Sequence, residues 1–368
     1  MDLVILAVGI GMVLFVMTDM LLTILHIDSD GPFTKFVLHS VWKAFMSITL
    51  LLPGQRRLIL SFAGPFMIFL IFSLWIFIFT FGFSLIYWPY MHHFRAQDEL
   101  GILGFWDALY YSGTTASVLG FGDITPLHNA FKIISFVQAG LGFAFLTGIV
   151  SYLINLTNGI SERNNLSLHL WVETRSSING TWAVADPLMY EKPEDFLDRL
   201  RKIREMIHYV HQKMRNYPIL ELYYRSRDPV YSPELIIHLS SQIAISSYII
   251  SSHNYYRRLR PAAVELGRAV IEMMRLIASA YLSSDLKHSL DNPSPEDIDY
   301  RALEKLQEEL RNKIPFLSFE IREVNKQLMN LIFSTRIFLD RTDSLTRWTK
   351  DFSGSEAEYL DSSFNNTR

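Results

Sequence analysis

We predict a mainly α-helical membrane protein with a separate polar domain, and three observations predict this fold class. Apolar residues make up 49% of the 368 residues and are concentrated before residue 157. Three apolar runs there, residues 3–25, 58–88 and 131–155, are long enough to cross a bilayer, which takes about 20 residues. After residue 157 charged residues are dense and apolar residues recur at helical spacing, which predicts an α-helical soluble domain.

The first run, residues 3–25, predicts an N-terminal transmembrane helix, because it lacks the basic region and cleavage site of a signal peptide. Asp19 lies within this run. A carboxylate inside a membrane is by default a candidate functional residue. The alternative is a position near the interface, beside Thr18, Thr23 or a basic residue.

Residues 34–51 predict a second helix, whose place relative to the bilayer has two interpretations. Lys35, His39 and Lys43 recur in steps of four and therefore share one helix face. A basic amphipathic helix is stable in the membrane interface, whereas lysine is unfavourable at mid-bilayer. We therefore predict an interfacial helix, with a further crossing as the alternative.

Arg56 and Arg57 precede the apolar run 58–88, and Trp88 closes it. Paired basic residues favour the cytoplasmic side of a span, and aromatic residues favour the interfaces. This span therefore starts at the cytoplasm. The N-terminus then lies outside if the preceding helix is interfacial, and inside if that helix crosses the membrane.

Residues 105–126 read FWDALYYSGTTASVLGFGDITP and lie between the second and third apolar runs. The amphipathic stretch from Phe105 to Thr115 predicts a short helix, and an irregular segment with Gly120 and Gly122 follows it. Glycine tolerates positive φ, so alternating glycines let successive carbonyl groups turn to one side. Irregular backbone at membrane depth is tolerated only where protein buries it or where it lines a water-filled path.

This stretch resembles the pore region of potassium channels, whose hallmark sequence is T-T-V-G-Y-G-D. The aligned residues are Ser117, Val118, Leu119, Gly120, Phe121, Gly122 and Asp123. The resemblance covers about residues 58–157 and implies an outer helix, a pore helix, a selectivity filter and an inner helix. In this family four subunits surround one pore, and rings of carbonyl oxygens replace the hydration shell of the ion. The resemblance thus implies a homotetramer that conducts K⁺ past the main-chain oxygens of Val118, Leu119, Gly120 and Phe121.

The aligned segment departs from the hallmark at two informative positions. Val118 stands where the family has a threonine whose hydroxyl helps to hold the innermost ion, so we expect a weaker inner site. Phe121 replaces tyrosine and lacks the phenol hydroxyl that often braces the filter. Two alternatives therefore stay open: a weakly selective Na⁺/K⁺ channel, and a non-conducting membrane sensor or scaffold with a vestigial loop.

The resemblance also implies supporting roles around the filter. Trp106, Tyr110, Tyr111 and Thr114 are the residues expected to support the filter from behind. Asp123 follows the filter, where it would raise the local cation concentration or brace the loop by a hydrogen bond.

The run 131–155 is the expected inner helix, and Gly140 and Gly142 lie in its middle. The resemblance implies a gating hinge there, whereas glycine in membrane helices also permits close packing. Both interpretations stay open. The polar candidates for the water-facing side are Gln138, Thr147 and Ser151.

The predicted domains are residues 1–53 with the N-terminal transmembrane and interfacial helices, 54–157 with the pore domain, 158–192 with a linker and a small β-hairpin, 193–352 with a cytoplasmic helical domain, and 353–368 with a flexible tail. The hairpin is expected near residues 166–185, because Asn179-Gly180 is a strong hairpin turn signal. A heptad pattern predicts either a coiled-coil seam between subunits or the core face of a bundle helix. Its members are Ile321, Val324, Leu328, Leu331, Thr335, Phe338 and Leu345.

Several classes of function are not expected from this composition. The chain has no cysteine, which excludes disulfides and cysteine-based zinc sites, and its net charge of −3 suggests no nucleic-acid partner. Adjacent His92 and His93 do not face one ligand. Glu205, His208 and His211 are spread too widely around a helix to bind one metal ion.

No nucleophile–base pair or metal-binding constellation is present, so we expect neither enzymatic activity nor a cofactor, with K⁺ as the permeant ligand. The expected surroundings are the lipid bilayer of the cell membrane, and the C-terminal domain is expected in the cytoplasm. No motif identifies a regulatory ligand.

Overall fold

The computed structural model describes residues 2–25, 31–97, 103–217, 225–281, 300–315, 317 and 326–346. These residues form two compact units, residues 1–157 and 158–368. The mainly α prediction is confirmed, because helices account for nearly all regular structure in both units. The predicted tail lies outside the described residues.

The first unit holds four helices and the start of a fifth. These are α1 (Asp2–Leu25), α2 (Pro32–Leu51), α3 (Arg56–Tyr87), α4 (Phe105–Ala116) and α5 (Asn129–Glu173). Among the described residues, three helical segments are long and apolar enough to cross a membrane: Asp2–Leu25, Arg56–His93 and Asn129–Glu173. They contain the three predicted spans. Helix α2 is not among them, and its interfacial placement stays a prediction.

Helices α1 and α3 approach closely through two glycines. A Cβ atom on Gly9 would lie 2.7 Å from the carbonyl oxygen of Gly82, and one on Gly82 would lie 2.8 Å from the Val13 side chain. Small residues let helix backbones pack closely in lipid, where apolar side chains alone provide little drive for association. The two glycines thus explain why α1 packs along α3.

Asp19 joins α1, α2 and α3 through its buried carboxylate. Its oxygens accept hydrogen bonds from the Trp75 indole nitrogen at 3.0 Å, from the Thr34 hydroxyl at 2.7 Å and from the Phe33 amide at 2.9 Å. The bonds from Phe33 and Thr34 hold the Asp19 carboxylate at the N-terminus of α2, where the helix dipole favours a negative charge. Asp19 therefore has a structural role. Of the neighbours considered from the sequence, Thr23 contacts Asp19, because its hydroxyl donates to the Asp19 carbonyl oxygen at 2.8 Å.

Helix α2 runs antiparallel beside the first part of α3. Near its start, Thr34 shares the Asp19 carboxylate with Trp75 of α3. Near its end, the ring of Phe45 lies 5.7 Å from that of Phe66. Lys35, His39 and Lys43, which were predicted to share one helix face, are all exposed.

A two-stranded antiparallel sheet is present, although at a different place from the one predicted. Strands β1 (Phe94–Ala96) and β2 (Ile124–Pro126) pair with Arg95 opposite Thr125. The hairpin predicted near 166–185 is wrong, because α5 continues to Glu173 and α6 (Trp182–Tyr190) follows.

The physical reason lies in an ambiguous apolar pattern. Leu166, Leu168, Leu170 and Val172 alternate as in a strand, but the same positions contain pairs spaced by four. In the structure Leu166 and Leu170 are buried and the other two are exposed, so the four-residue helical spacing prevails. Helix α5 ends where Arg175 adopts positive φ.

The described part of the second unit contains five further helices, one of which is buried along its whole length. They are α7 (Pro193–Asn216), α8 (Pro233–Ile250), α9 (Leu259–Tyr281), α10 (Tyr300–Lys313) and α11 (Lys326–Thr346). Every residue of α8 is buried, and α6, α9, α10 and α11 pack against it. The predicted apolar face of α7 is confirmed, with Phe196, Leu200 and Ile203 all buried.

The heptad residues on α11 serve the core of this unit. Leu331, Thr335 and Phe338 are buried within the chain, and the Thr335 hydroxyl lies 2.8 Å from that of Ser241 on α8. The bundle-core interpretation therefore holds for these three positions. Ile321 and Val324 lie outside the described residues.

The Asn179-Gly180 turn is held against α8 rather than forming a hairpin. The Gly180 amide donates to the Gln242 side chain at 2.5 Å, and the His238 ring lies 3.1 Å from the Ile178 carbonyl oxygen. A Cβ atom on Gly180 would come within 2.7 Å of the Gln242 side chain. Glycine is needed here for a close approach.

We predict that Asp19→Asn lowers the stability of the chain by about 3 kcal/mol, because an amide nitrogen would face donors that need an acceptor. The measurement is the thermal unfolding midpoint in detergent. Thr18→Val is the control, since Thr18 is exposed and its hydroxyl bonds only within α1. Equal midpoints for the two variants would contradict the proposed role of Asp19.

A second prediction concerns the pH dependence of stability. Burial lowers the pKa of His238 from 6.5 to about 4. The unfolded chain therefore binds the proton more tightly, and stability falls by about 3 kcal/mol as pH drops from 6.5 towards 4. His238→Gln keeps a donor for Ile178 and removes the titration, so its unfolding midpoint should fall less over this window. If the unfolding midpoints of wild type and His238→Gln fall equally between pH 6.5 and 4, His238 is not the cause of the pH dependence.

Candidate functional site

Helix α4 begins with a local hydrogen bond that fixes its first turn. The Asp107 carboxylate accepts from the Gly104 amide at 2.7 Å. A carboxylate in the first turn also suits the positive end of the helix dipole. The helix predicted from Phe105 to Thr115 is thus present and ends at Ala116.

An irregular loop, residues 117–123, follows α4 and is held at its base by carbonyl groups of that helix. The Thr114 carbonyl oxygen accepts from the Leu119 amide at 2.9 Å and from the Gly120 amide at 3.2 Å. The Thr114 hydroxyl donates to the Tyr111 carbonyl at 3.0 Å. Thr114 therefore supports the loop through its backbone.

The backbone of this loop alternates in handedness. Val118, Gly120 and Gly122 have φ values of 61°, 53° and 80°, and the residues between them do not have positive φ. Positive φ is natural for glycine and unfavourable for a β-branched residue such as valine. An alternation of this kind lets successive carbonyl groups turn to one side of the chain.

Asp123 fixes the outer end of the loop. Its carbonyl oxygen accepts from the Gln97 amide at 2.9 Å, and its carboxylate accepts from the Ile124 amide at 3.1 Å. The Tyr110 hydroxyl also forms a hydrogen bond with the Asp123 side chain. The structure therefore contains the bracing contacts considered from the sequence, and Tyr110 takes part in them.

Of the other two aromatic residues expected to support the filter, Tyr111 is buried and Trp106 is exposed. Tyr111 is buried, and its ring lies 5.2 Å from that of Tyr87 and 5.1 Å from that of Phe94. Trp106 is 76% exposed in the single chain. Within one chain, only Tyr111 of these two packs behind the loop region.

Gly142 and Gly140 have different surroundings on α5. A Cβ atom on Gly142 would overlap the carbonyl oxygen of Ala116, the last residue of α4, whereas one on Gly140 would meet no atom within 4 Å. Close packing is therefore what requires glycine at position 142. A gating hinge at Gly140 or Gly142 stays a prediction.

Gln138 was expected to face water, and this expectation is wrong for the described chain. Its side chain is fully buried and contacts α4 and α3, whereas Thr147 and Ser151 are exposed. The available signal was its spacing of four from Gly142, which places both residues on the α5 face that packs against α4.

The described residues contain no group of three or more His, Asp or Glu side chains arranged to hold a metal ion. The His92 and His93 rings lie 4.0 Å apart, and His128 lies 4.8 Å from His93.

The loop side chains are largely exposed in the single chain. The exposed fractions of Val118, Leu119 and Phe121 are 52%, 63% and 66%. Neighbouring exposed apolar side chains of this kind are typical of surfaces that contact further protein or lipid.

Comparison with known proteins identifies the segment. Residues 66–158, which contain α4, the loop and the first part of α5, match a family model described as "Ion channel". The match covers 93 of the 368 residues, so this segment is similar to the ion-channel family. The resemblance to potassium channel pores is thereby confirmed, and the chain is a multi-pass membrane protein.

Three curated proteins are similar to parts of this chain. An uncharacterized membrane protein, YdjJ, of Bacillus subtilis is 28% identical over 152 residues, or 41% of this chain and 43% of the relative. Two pore potassium channel c of Oryza sativa is 48% identical over 54 residues, covering 14% of this chain and 12% of that protein. Two-pore potassium channel 3 of Arabidopsis thaliana is 37% identical over 76 residues, covering 20% and 17%.

The chain thus spans less than half the length of these curated relatives. No solved structure gives a significant match.

The two glycines give a matched test of packing. We predict that Gly142→Ala lowers the thermal unfolding midpoint in detergent, because the added methyl group forces α5 away from Ala116 at about 1–3 kcal/mol. Gly140→Ala should leave the midpoint unchanged or raise it, since alanine has the higher helix propensity. The reverse order of midpoints would contradict the packing role of Gly142.

Proposed function

We propose that this chain is the subunit of a homotetrameric potassium channel of the cell membrane. The permeant K⁺ passes the main-chain oxygens of Val118, Leu119, Gly120 and Phe121. The observation that carries the proposal is the alternation of positive φ at residues 118, 120 and 122, directly after a short helix within an ion-channel segment. Carbonyl oxygens turned to one side are suitable ligands for a dehydrated cation.

The loop supports several copies around one ion, and the number four is what the resemblance to the family implies. One loop supplies oxygens from one side only, and a cation that loses its hydration shell needs oxygens around it. The exposure of Val118, Leu119 and Phe121 in the single chain supports neighbouring copies at this place. Four copies around one axis, as in the family that the motif resembles, satisfy both requirements.

The degree of selectivity depends on Val118. A threonine at this position would add a hydroxyl oxygen to the inner ion site, and valine does not. This observation favours a second candidate function, a weakly selective channel for Na⁺ and K⁺. The names of the two plant relatives, both potassium channels, support K⁺ as the physiological ion.

Membrane orientation and gating complete the proposal. Arg56 and Arg57 at the start of α3 favour the cytoplasmic side, which also places residues 158–368 in the cytoplasm. The inner helix α5 continues without a break to Glu173. We propose that the second unit biases the gate through this helix.

The direct test is K⁺ flux into liposomes that contain the purified chain. We predict that Gly120→Ala abolishes flux, because its φ of 53° is strained for alanine although the space around it is open. Gly54→Ala is the control, since it adds the same methyl group in open space without positive φ. Normal flux in Gly120→Ala would refute the filter assignment, and a wild type without flux would favour a non-conducting sensor.

A companion test separates the two selectivities. We predict that Val118→Thr raises the K⁺ over Na⁺ permeability ratio by about tenfold, as expected for one additional oxygen ligand of about 1.4 kcal/mol. The measurement is the reversal potential under opposed K⁺ and Na⁺ gradients. A wild type that already discriminates strongly, with no gain in the variant, would exclude the weakly selective candidate.

A further inference from the structure

Gln138 of α5 lies at the meeting point of three helices and is fully buried. Its side-chain amide nitrogen donates to the Ser112 carbonyl oxygen at 3.0 Å and lies 2.8 Å from the Ser112 hydroxyl. Its side-chain oxygen accepts from the Tyr87 hydroxyl at 2.8 Å. Both ends of the carboxamide are therefore engaged by protein, one by α4 and the other by α3.

Ser112 extends this connection across α4. Its hydroxyl donates to the Thr80 carbonyl oxygen of α3 at 2.7 Å while it accepts from Gln138. Beside it, the Tyr111 hydroxyl lies 2.6 Å from the Ser135 hydroxyl of α5. Two neighbouring residues of α4 are thus bonded to α5.

The contacts between α4 and α5 recur in register. Gln138 meets Ser112, and four residues later Gly142 meets Ala116. A step of four residues in each helix keeps the contacts on one face. Because both steps run in the same chain direction, α4 and α5 lie parallel there, joined by a polar contact and a backbone contact.

This junction is directly connected to the ion loop. Ser112 precedes Thr114 by two residues, and the Thr114 carbonyl holds the amides of Leu119 and Gly120. A shift of α4 along its axis therefore displaces the backbone of the loop. Displacements well below the size of an ion change the distances of carbonyl oxygens to the ion.

We propose that Gln138 is a positioning residue for ion selectivity: its carboxamide fixes α4 between α3 and α5 and thereby fixes the spacing of the loop carbonyl oxygens. The proposal rests on the proposed cation channel. It makes the selectivity of the loop depend on a side chain of the inner helix that never touches the ion. Any movement of α5 at this level is passed to the loop through Ser112.

The chemistry of glutamine is needed for this task because the site requires both a donor and an acceptor. Methionine has a similar length and offers no N–H group to Ser112. A glutamate carboxylate accepts from Tyr87 and cannot donate to the Ser112 carbonyl. A buried partner left without its hydrogen bond is unfavourable, so α4 is expected to shift in either variant.

The first experiment measures the K⁺ over Na⁺ permeability ratio from reversal potentials of the reconstituted full chain. Gln138→Met and Gln138→Glu are each expected to lower the ratio by about tenfold. Ser112→Ala is expected to lower it less, because the Ser112 carbonyl oxygen still accepts from Gln138 and only the hydroxyl contacts are lost. Ser84→Ala is the control, because Ser84 is a buried α3 residue whose hydroxyl bonds within its own helix.

A wild-type ratio in Gln138→Met or in Gln138→Glu would overturn the proposal. If Gln138→Met does not fold, Tyr87→Phe decides the same question, because it keeps the ring contacts with Tyr111 and Phe94 and removes only the hydroxyl. An unchanged ratio in Tyr87→Phe would then count against the role of Gln138.

The second experiment does not depend on conduction. Hydrogen exchange of the Leu119 and Gly120 amides should be about tenfold faster in Gln138→Met than in wild type and unchanged in Ser84→Ala, because these amides are bonded to α4. Equal exchange in all three proteins would refute the positioning role. If the wild type conducts no cation, the proposed function fails while the exchange comparison still decides whether Gln138 positions the loop.

Discussion

The arrangement of the first unit depends on the need of backbone groups at membrane depth for partners. Within the loop, the amides of Leu119 and Gly120 are bonded to the Thr114 carbonyl, and the Asp123 carbonyl is bonded to Gln97. Non-helical backbone without partners is unstable in a bilayer unless it lines a path for water or ions. The carbonyl groups of residues 118–121 are the ones proposed to face K⁺. In the proposed channel, the ion would be the partner that these groups need.

Helices in the first unit associate through close backbone approach and polar contacts. Gly9 and Gly82 bring α1 onto α3, and Gly142 brings α5 onto α4. Asp19 and Gln138 each bond to two further helices. In lipid, burial of apolar surface does little to hold helices together. Close approach at glycines and hydrogen bonds from buried polar side chains stabilise the helix pairs instead, so both kinds of contact are found here.

The second unit is held together in the manner of a water-soluble protein. Helix α8 is buried along its whole length, and apolar side chains of α9 and α11, which pack against it, are removed from water. Two of its polar side chains, His238 and Gln242, hold the turn that contains Ile178 and Gly180. This turn follows α5, so hydrogen bonds to α8 fix the chain immediately beyond the inner helix.

By itself, the sequence determined the three apolar spans, the short helix before the loop and the positive φ at Gly120 and Gly122, because hydropathy, length and glycine spacing are local properties. Only the tertiary structure decided which residues Asp19 and Gln138 contact, since those partners lie 56 and 26 residues away in the chain. It also decided between strand and helix at residues 166–173, where the same apolar residues suit both periods. Such choices depend on which face meets a distant helix, and no local pattern contains that information.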